Sequence, residues 1–323
     1  MKKIVLISLI AFNSTVLFGQ DIAFNYEKAP LESGFKMDGY WVWDGSMIKV
    51  DSTYHLFASR WPKTAPFPEG YLQNSEIVHA VAKSPYGPFT FKEVVIGERD
   101  SSYWDSNMAH NPTIHKIGNK YVLFYIGSDF TTLNKQTNHL LRRVGYAVSS
   151  SINGPWKRAV KPLIDSESNN PAILIENKKI KILYRDAYLR VYLTEARRYK
   201  GPYILKNANV WPGSKIEDFY LFKANGAYHM LCEDNVGEIS GHIRWGVHLY
   251  SNDGISKWQK YDPLVAYDHE IKFESDSILH CVRRERPGLL IENKTITYLI
   301  TGIYDGVKSW CQPVKIKQPI AVE

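Results

Sequence analysis

Cysteine is scarce in this chain: Cys232, Cys281 and Cys311 are all that 323 residues contain. None belongs to a CxxC pair, and His242, His248, His269 and His280 share no metal-ligand spacing, which speaks against a zinc site and a disulfide-built scaffold. Cys281 and Cys311 either bridge each other or stay buried as thiols. Long apolar runs are missing beyond the N-terminus, and none reaches the roughly 18 residues that a membrane-spanning helix requires. No heptad or 3.6-residue pattern stands out, so a helix-rich fold is not expected. GxSxG, HExxH, P-loop and GxGxxG patterns are all absent, which sets aside several hydrolase, nucleotide and dinucleotide chemistries. No linker or low-complexity stretch divides the chain.

Charge of neither sign dominates. Forty Lys and Arg against 33 Asp and Glu leave a formal +7. The basic residues are scattered, so a nucleic-acid partner is not expected. Ordinary solubility and a preference for anionic glycans both remain open readings of the surplus. Residues 1–20 stand apart. Lys2 and Lys3 precede an apolar core from Ile4 to Phe12, and Gly19-Gln20 follows small and polar residues. That is the pattern of a secretory signal, with periplasmic or secreted localisation expected after cleavage near residue 20.

What the chain has in abundance is aromatic residues, with 9 Trp, 21 Tyr and 13 Phe, set in a repeating context. Five alternating runs occur at 53–57, 120–124, 179–183, 227–231 and 295–299, spaced by 48 to 68 residues. Four follow Asn-Lys or Asn-Gly pairs at 119, 177, 225 and 293, and each is preceded at strand distance by another apolar stretch. Asn and Gly tolerate positive φ, and period-2 alternation gives a strand one buried face, so each unit reads as a hairpin. A second device recurs behind each: Gly87-Pro88-Phe89, Gly154-Pro155-Trp156 and Gly201-Pro202-Tyr203, with Gly254 to Trp258 as a fourth form. Each follows a third apolar strand and opens an outer one. The expectation is an all-β fold, a five-bladed β-propeller with four-stranded antiparallel blades around a central axis. One domain spans 39–323, and residues 21–38 form an arm that could close the ring.

In such a ring the starts of the inner strands converge on one mouth, although they lie far apart in sequence. The five starts carry Asp44, His110 with Asn111, Asn170, Glu217 with Asp218, and Glu285 with Arg286. A strand start needs only a turn, so carboxylates, amides and Arg at all five point to a polar site. Arg60 and Trp61, directly after a second strand, could clamp and stack a sugar. Asp186 and Asp234 end second strands and could reach sugar hydroxyls.

Trp43-Asp44-Gly45-Ser46-Met47-Ile48-Lys49-Val50-Asp51, followed by Tyr54-His55-Leu56-Phe57, resembles the first blade of glycoside hydrolase family 43 and its five-bladed superfamily of furanosidases, fructosidases, anhydrogalactosidases and inverting mannoside phosphorylases. Glu217-Asp218-Phe219-Tyr220-Leu221-Phe222 resembles the segment carrying that family's acid. The resemblance implies inversion by two carboxylates, with Asp44 as general base and Glu217 as general acid. A third family carboxylate opens blade three in an Asp-Pro pair, where this chain has Asn170-Pro171. His110 or Glu285 could supply that tuning, and Glu285 is the alternative acid.

The function so implied is an exported glycoside hydrolase. It would be exo-acting and inverting, releasing a terminal sugar from plant or algal polysaccharide fragments. No cofactor is required on this reading and no metal ligands are assigned, although calcium sits at the propeller axis in some relatives. The loops at 61–75 and 128–143 are candidates for selectivity, and their Lys63, Lys135, Arg142 and Arg143 are where an anionic sugar would be met. Two other readings carry different chemistry: a glycan-binding propeller without catalysis, and an inverting phosphorylase using Arg60, Arg185 and Arg286.

Overall fold

The computed structural model describes residues 21–135 and 137–323; the expected export signal at 1–20 lies outside them. Blade one is β1 (Tyr40–Val50), β2 (Thr53–Pro62), β3 (Glu76–Ala82) and β4 (Thr90–Ile96), with a one-turn helix α1 (Tyr71–Asn74) between its second and third strands. Blade two is β5 (Met108–Ile117), β6 (Lys120–Ser128), β7 (Arg143–Ser149) and β8 (Lys157–Arg158). Blade three is β9 (Asn169–Glu176), β10 (Lys179–Arg185), β11 (Val191–Ala196) and β12 (Ile204–Asn207). Blade four is β13 (Ile216–Ala224), β14 (Ala227–Asp234), β15 (Gly246–Ser251) and β16 (Gln259–Tyr267). A small hairpin, β17 (Glu270–Lys272) and β18 (Ile278–His280), leads into blade five: β19 (Arg283–Glu292), β20 (Thr295–Tyr304) and β21 (Ser309–Ala321). Within each sheet the strands pair antiparallel in chain order.

The hairpin turns sit where Asn, Asp and Gly allow positive φ. Asp51, Gly118, Asn177, Asn225 and Asn293 all lie there, with φ between 47° and 60°. In blade two the turn is Gly118-Asn119, one residue ahead of the Asn119-Lys120 pair suggested by the repeat, because Lys120 already pairs with Ile117.

One expectation needs correcting. The second strands are buried on both faces rather than one, as in β2 from Tyr54 to Trp61 and β6 from Tyr121 to Ser128. Each blade lies between two neighbours, so both faces of its middle strands find an apolar partner, and only outer strands such as β4 meet solvent. The core is accordingly a set of layers between blades. Phe57, Ile77, Trp104 and Leu123 fill the gap between blades one and two, and Leu183, Phe219, Met230 and Val247 that between three and four.

Blade five has three regular strands, and the arm supplies its outer edge. Phe35 and Cys311 exchange backbone hydrogen bonds at 2.9 and 3.2 Å, Glu27 N–H donates to Lys315 O at 2.9 Å, and Lys317 N–H donates to Asn25 O at 2.8 Å. Ile22, Phe24 and Ala29 pack into the layer between blades four and five. The N-terminal segment thereby joins the C-terminal blade, and both chain ends are tied into one sheet. Cys281 and Cys311 are separate buried thiols, in different layers, with no bridge between them.

Two third strands, β7 and β15, carry a glycine near their start where a neighbouring ring approaches closely. A Cβ on Gly145 would overlap the indole of Trp104, and one on Gly246 would overlap the Tyr267 ring. Gly145→Ala is therefore expected to lower stability by about 1–3 kcal/mol through overpacking. A thermal midpoint unchanged from wild type would refute this.

Candidate functional site

The five inner strands carry the same defect at the same place. Pairing of β1 with β2 breaks between Trp43 and Ser46, of β5 with β6 between His110 and Thr113, of β13 with β14 between Glu217 and Tyr220, and of β19 with β20 between Glu285 and Gly288. In blade three Asn169 pairs with Arg185 and Ala172 with Leu183, so residues 170 and 171 face Tyr184 alone. Each is a β-bulge of two residues against one, which bends the strand and re-aims a side chain. The first bulged residue is Asp44, Asn111, Asn170, Asp218 or Arg286, all left-handed with φ between 52° and 58°. Asn and Asp tolerate this conformation better than most side chains, because a short polar group can bond locally. In three of the bulges the next residue is a proline (Pro112, Pro171, Pro287), which a strand accepts where no ladder bond is needed.

These five residues form a buried ring on the axis. Asn111 Nδ2 donates to Asp44 Oδ2 at 3.0 Å, Asn170 donates to Asp218, and Arg286 lies 3.2 Å from Asp44 Oδ1 and 3.5 Å from Asp218 Oδ1. One residue earlier in each strand, Trp43, His110, Asn169, Glu217 and Glu285 form the wall of a cavity of about 140 Å³ above the ring. That holds on the order of five waters at about 30 Å³ each, the bulk of one sugar ring. Trp61, Pro68 and Tyr71 close one side and Arg185, Arg244 and Arg283 the other. Tyr71 stacks on His110 at 4.3 Å and Trp61 on Phe67 at 5.7 Å between centroids, so one wall is aromatic and firmly packed.

No protein-family profile and no curated protein sequence matches this chain. Solved structures do. Zg3597, a family 117 glycoside hydrolase of the marine bacterium Zobellia galactanivorans, superposes with a TM-score of 0.64 at 16% identity, over 91% of this chain and 90% of that one. The α-L-arabinofuranosidase PaAbf62A of Podospora anserina, solved with cellotriose, gives 0.63 at 14% over 93% and 99%. A thermostable family-43 glycoside hydrolase gives 0.63 at 14% over 92% and 98%. The fold is that of the five-bladed glycoside hydrolases.

Within this glycoside hydrolase fold the carboxyl groups are pushed apart electrostatically. Burial raises Asp44, but His110, Arg286 and Ser59 outweigh it and hold the group below its ordinary value. His110 donates from Nε2 to Asp44 Oδ2 at 2.8 Å, while its Nδ1 meets Ser75 Oγ at 2.8 Å. Among the described residues Asp44 Oδ1 is buried without a hydrogen bond, with Arg286 Nε facing it at 3.2 Å. Glu217 is also lowered: burial opposes, yet Arg185 (2.6 Å), Arg244 and Asn235 prevail. The remaining acids go the other way. Burial, with Arg286 opposing and Glu217, Glu285 and Asp44 repelling, pushes Asp218 up to about 8. Burial likewise raises Glu285 against Arg244 and Arg283, and raises Glu233 beside Glu285 and Asp218. Asp218, Glu233 and Glu285 bring oxygens within 4.8 Å of one another, and Arg244 Nη1 bridges the last two at 3.0 and 2.8 Å.

These groups do not suit calcium, which takes six to eight oxygen ligands. Below the ring the axial cavity is only about 20 Å³, lined by Asp44, Arg286 and five prolines and glycines among others, and the guanidinium already faces the carboxylate. The carboxyl triad is likewise held by Arg244 rather than open to a cation.

Of the residues singled out by sequence, Asp44, Trp61, His110, Asn111, Asn170, Glu217, Asp218, Glu285 and Arg286 all line the one cavity. Three do not. Arg60 points outward, bonded to Glu76 at 2.8 Å between the rings of Tyr40 and Phe91, because alternation along β2 sends Trp61 inward instead. Asp186 caps its own loop, accepting from Tyr188 and Arg190 N–H and from the Arg190 side chain. Asp234 accepts from the N–H groups of Gly237, Ile239 and Ser240 and so shapes the loop that delivers Arg244. Three of the four loop cations expected to meet an anionic sugar are engaged elsewhere, Arg142 with Glu167 and Tyr71, Arg143 with Asp129, and Lys63 over Trp41, while Lys135 is exposed and does not line the cavity. Asn169, Tyr71, Arg244 and Arg283 were not singled out. Asn169 and Arg283 sit in inner-strand starts and were findable by position. Arg244 comes from an irregular loop with no signal at all.

Proposed function

We propose that this protein is an exported, exo-acting glycoside hydrolase that releases a terminal sugar with inversion. The carrying observation is that one sugar-sized cavity holds two carboxyl groups shifted in opposite directions, Glu285 raised by burial and Asp44 lowered by His110 and Arg286 against its burial. Two acids whose environments drive their ionisation apart make a base and an acid. Asp44, held in place by His110, Asn111 and Ser59 on Oδ2 and by the Arg286 guanidinium 3.2 Å from Oδ1, would take a proton from water. Glu285 Oε1 accepts from Arg244, which leaves Oε2 to protonate the departing glycosidic oxygen. The paired, lowered Glu217 is better suited to accepting sugar hydroxyls than to giving a proton away. Asp218, neutral near pH 7, takes the place that the charged carboxylate of blade three would have filled beside Asn170. A cavity with the volume of a single ring favours a chain end over the middle of a polymer, and the aromatic wall offers a sugar a stacking face.

The test is incubation of residues 21–323 with arabinan, pectic and algal oligosaccharides, followed by proton NMR in the first minutes. The expected result is one monosaccharide, released with its anomeric configuration opposite to that of the bond cleaved. Retained configuration, or binding without release from any of these substrates, would overturn the reading.

A further inference from the structure

Four guanidiniums line the cavity, and they are not alike. Arg185 is engaged by Glu217 at 2.6 Å and by the backbone of Asp186 at 3.2 Å, and Arg286 by Asp44 and Asp218. Arg283 has no hydrogen-bond partner among the described residues. Its nearest carboxylate atom, Glu285 Oε1, is 3.6 Å away, and its side chain is 28% exposed. Arg244 uses only Nη1, on Glu233 and on that same Glu285 oxygen, with 29% of its side chain exposed. Two guanidiniums thus converge on one oxygen of one carboxyl group and keep most of their N–H donors directed elsewhere. Glu285 and Glu233 occupy only Nη1 of Arg244, and Arg283 has no side-chain hydrogen bond among the described residues, so donors of both remain for a second acceptor, and a guanidinium fork matches a planar or tetrahedral oxyanion. The cavity they face is the one proposed to bind the sugar.

We infer that the sugar taken into this cavity carries an anionic substituent, a uronic carboxylate or a sulfate ester, gripped by Arg283 with the free edge of Arg244. This rests on the glycosidase reading for the site, but it concerns binding and can be tested without turnover. Glu285 remains the acid in this arrangement, and Arg283 acts on substrate charge rather than on the bond broken. Basic residues of the loops at 61–75 and 128–143 do not line this cavity, and Arg142 and Arg143 are already paired with Glu167 and Asp129.

The experiment is calorimetric titration of residues 21–323 with matched probes: galactose, galacturonate and galactose 6-sulfate, then glucose, glucuronate and glucose 6-sulfate. At least one acidic sugar is expected to bind about 10- to 100-fold more tightly than its neutral partner, the range of charge-assisted hydrogen bonds. Which of the two acids wins distinguishes carboxylate from sulfate. Arg283→Ala should erase the preference, and Arg283→Lys should restore only part of it, since a lysine supplies charge without the fork. Thermal midpoints of both variants would show that they fold. Equal affinity for acidic and neutral sugars, no binding by any acidic sugar at tens of millimolar, or a preference that survives Arg283→Ala would each overturn the inference. So would acceleration of sugar release by inorganic phosphate with a sugar 1-phosphate as product, because the guanidiniums would then serve the nucleophile. Should no oligosaccharide be cleaved while the acidic preference persists, the hydrolase reading falls and the anionic ligand stands.

Discussion

Replacing Asp44 with Asn should lower kcat/KM by about 10²- to 10⁴-fold on a natural oligosaccharide, the usual worth of a general acid or base. Glu285→Gln should do the same, but with a difference that identifies its role. On an aryl glycoside whose phenol leaves without protonation, Glu285→Gln should regain most of its activity, whereas Asp44→Asn should not. Glu217→Gln serves as the discriminating control: if Glu217 gives the proton instead, the leaving-group dependence moves to that variant. The pH profile follows from the same electrostatics. Asp44 is held below its ordinary value, so its ionisation sets an acidic limb lower than a free carboxyl would give. Glu285 is raised, so its deprotonation sets an alkaline limb above the ordinary glutamate range. Activity should be greatest between the two. An alkaline limb that persists unchanged in Glu285→Gln would remove Glu285 from the role of acid.

Mild acid should destabilise the fold sharply, because two histidine pairs are buried neutral in equivalent places. In blade one His55 Nδ1 meets His79 Nε2 at 2.8 Å, with His79 stacked on Phe57. In blade four His229 Nδ1 meets His248 Nε2 at 2.9 Å, with His229 stacked on Phe222. Each pair joins a second strand to a third and lies in the layers between blades. Burial holds His55, His79 and His229 down to about 4, and His248 well below its ordinary value. The unfolded chain binds protons on these rings below about 6.5 while the folded chain does not. Their contribution is therefore complete above pH 6.5 and is lost as pH falls toward 4, at up to about 3 kcal/mol for each shift of this size. On the order of 5 kcal/mol or more should disappear across that window, a large part of an ordinary stability margin. Urea midpoints at pH 7.5 and 4.5 provide the measurement. The double variant His229→Asn, His248→Gln, which cannot titrate, should show a smaller drop. Midpoints that agree at the two pH values would rule the mechanism out.

Much of the architecture could be read from local chemistry. Asn-Lys, Asn-Gly and Gly-Pro-aromatic signals mark turns because they answer to the φ of single residues, and such signals survive folding intact. Positions in the first half of the inner strands were readable for the same reason: a polar residue where a strand start needs none, five times over. Residues assigned from the ends of second strands fared differently. Trp61 reached the cavity while its neighbour Arg60 did not, since one step along a strand reverses the face. Asp186 and Asp234 close onto nearby N–H groups, and a side chain with a local partner in reach does not travel to a distant site.

Turn chemistry and the rhythm of apolar runs are local properties, and by themselves they determined five hairpins, the blade order and the radial repeat. Tertiary structure alone decided in which direction each carboxyl group is shifted and which donors are left without partners. The lowering of Asp44 depends on His110 and Arg286 from other blades, the raising of Glu285 on its burial between blades, and the open guanidiniums on Arg244 arriving from an irregular loop. Coulomb energies and desolvation depend on distances in space, and in a propeller the residues that share the axis are tens to hundreds of positions apart along the chain.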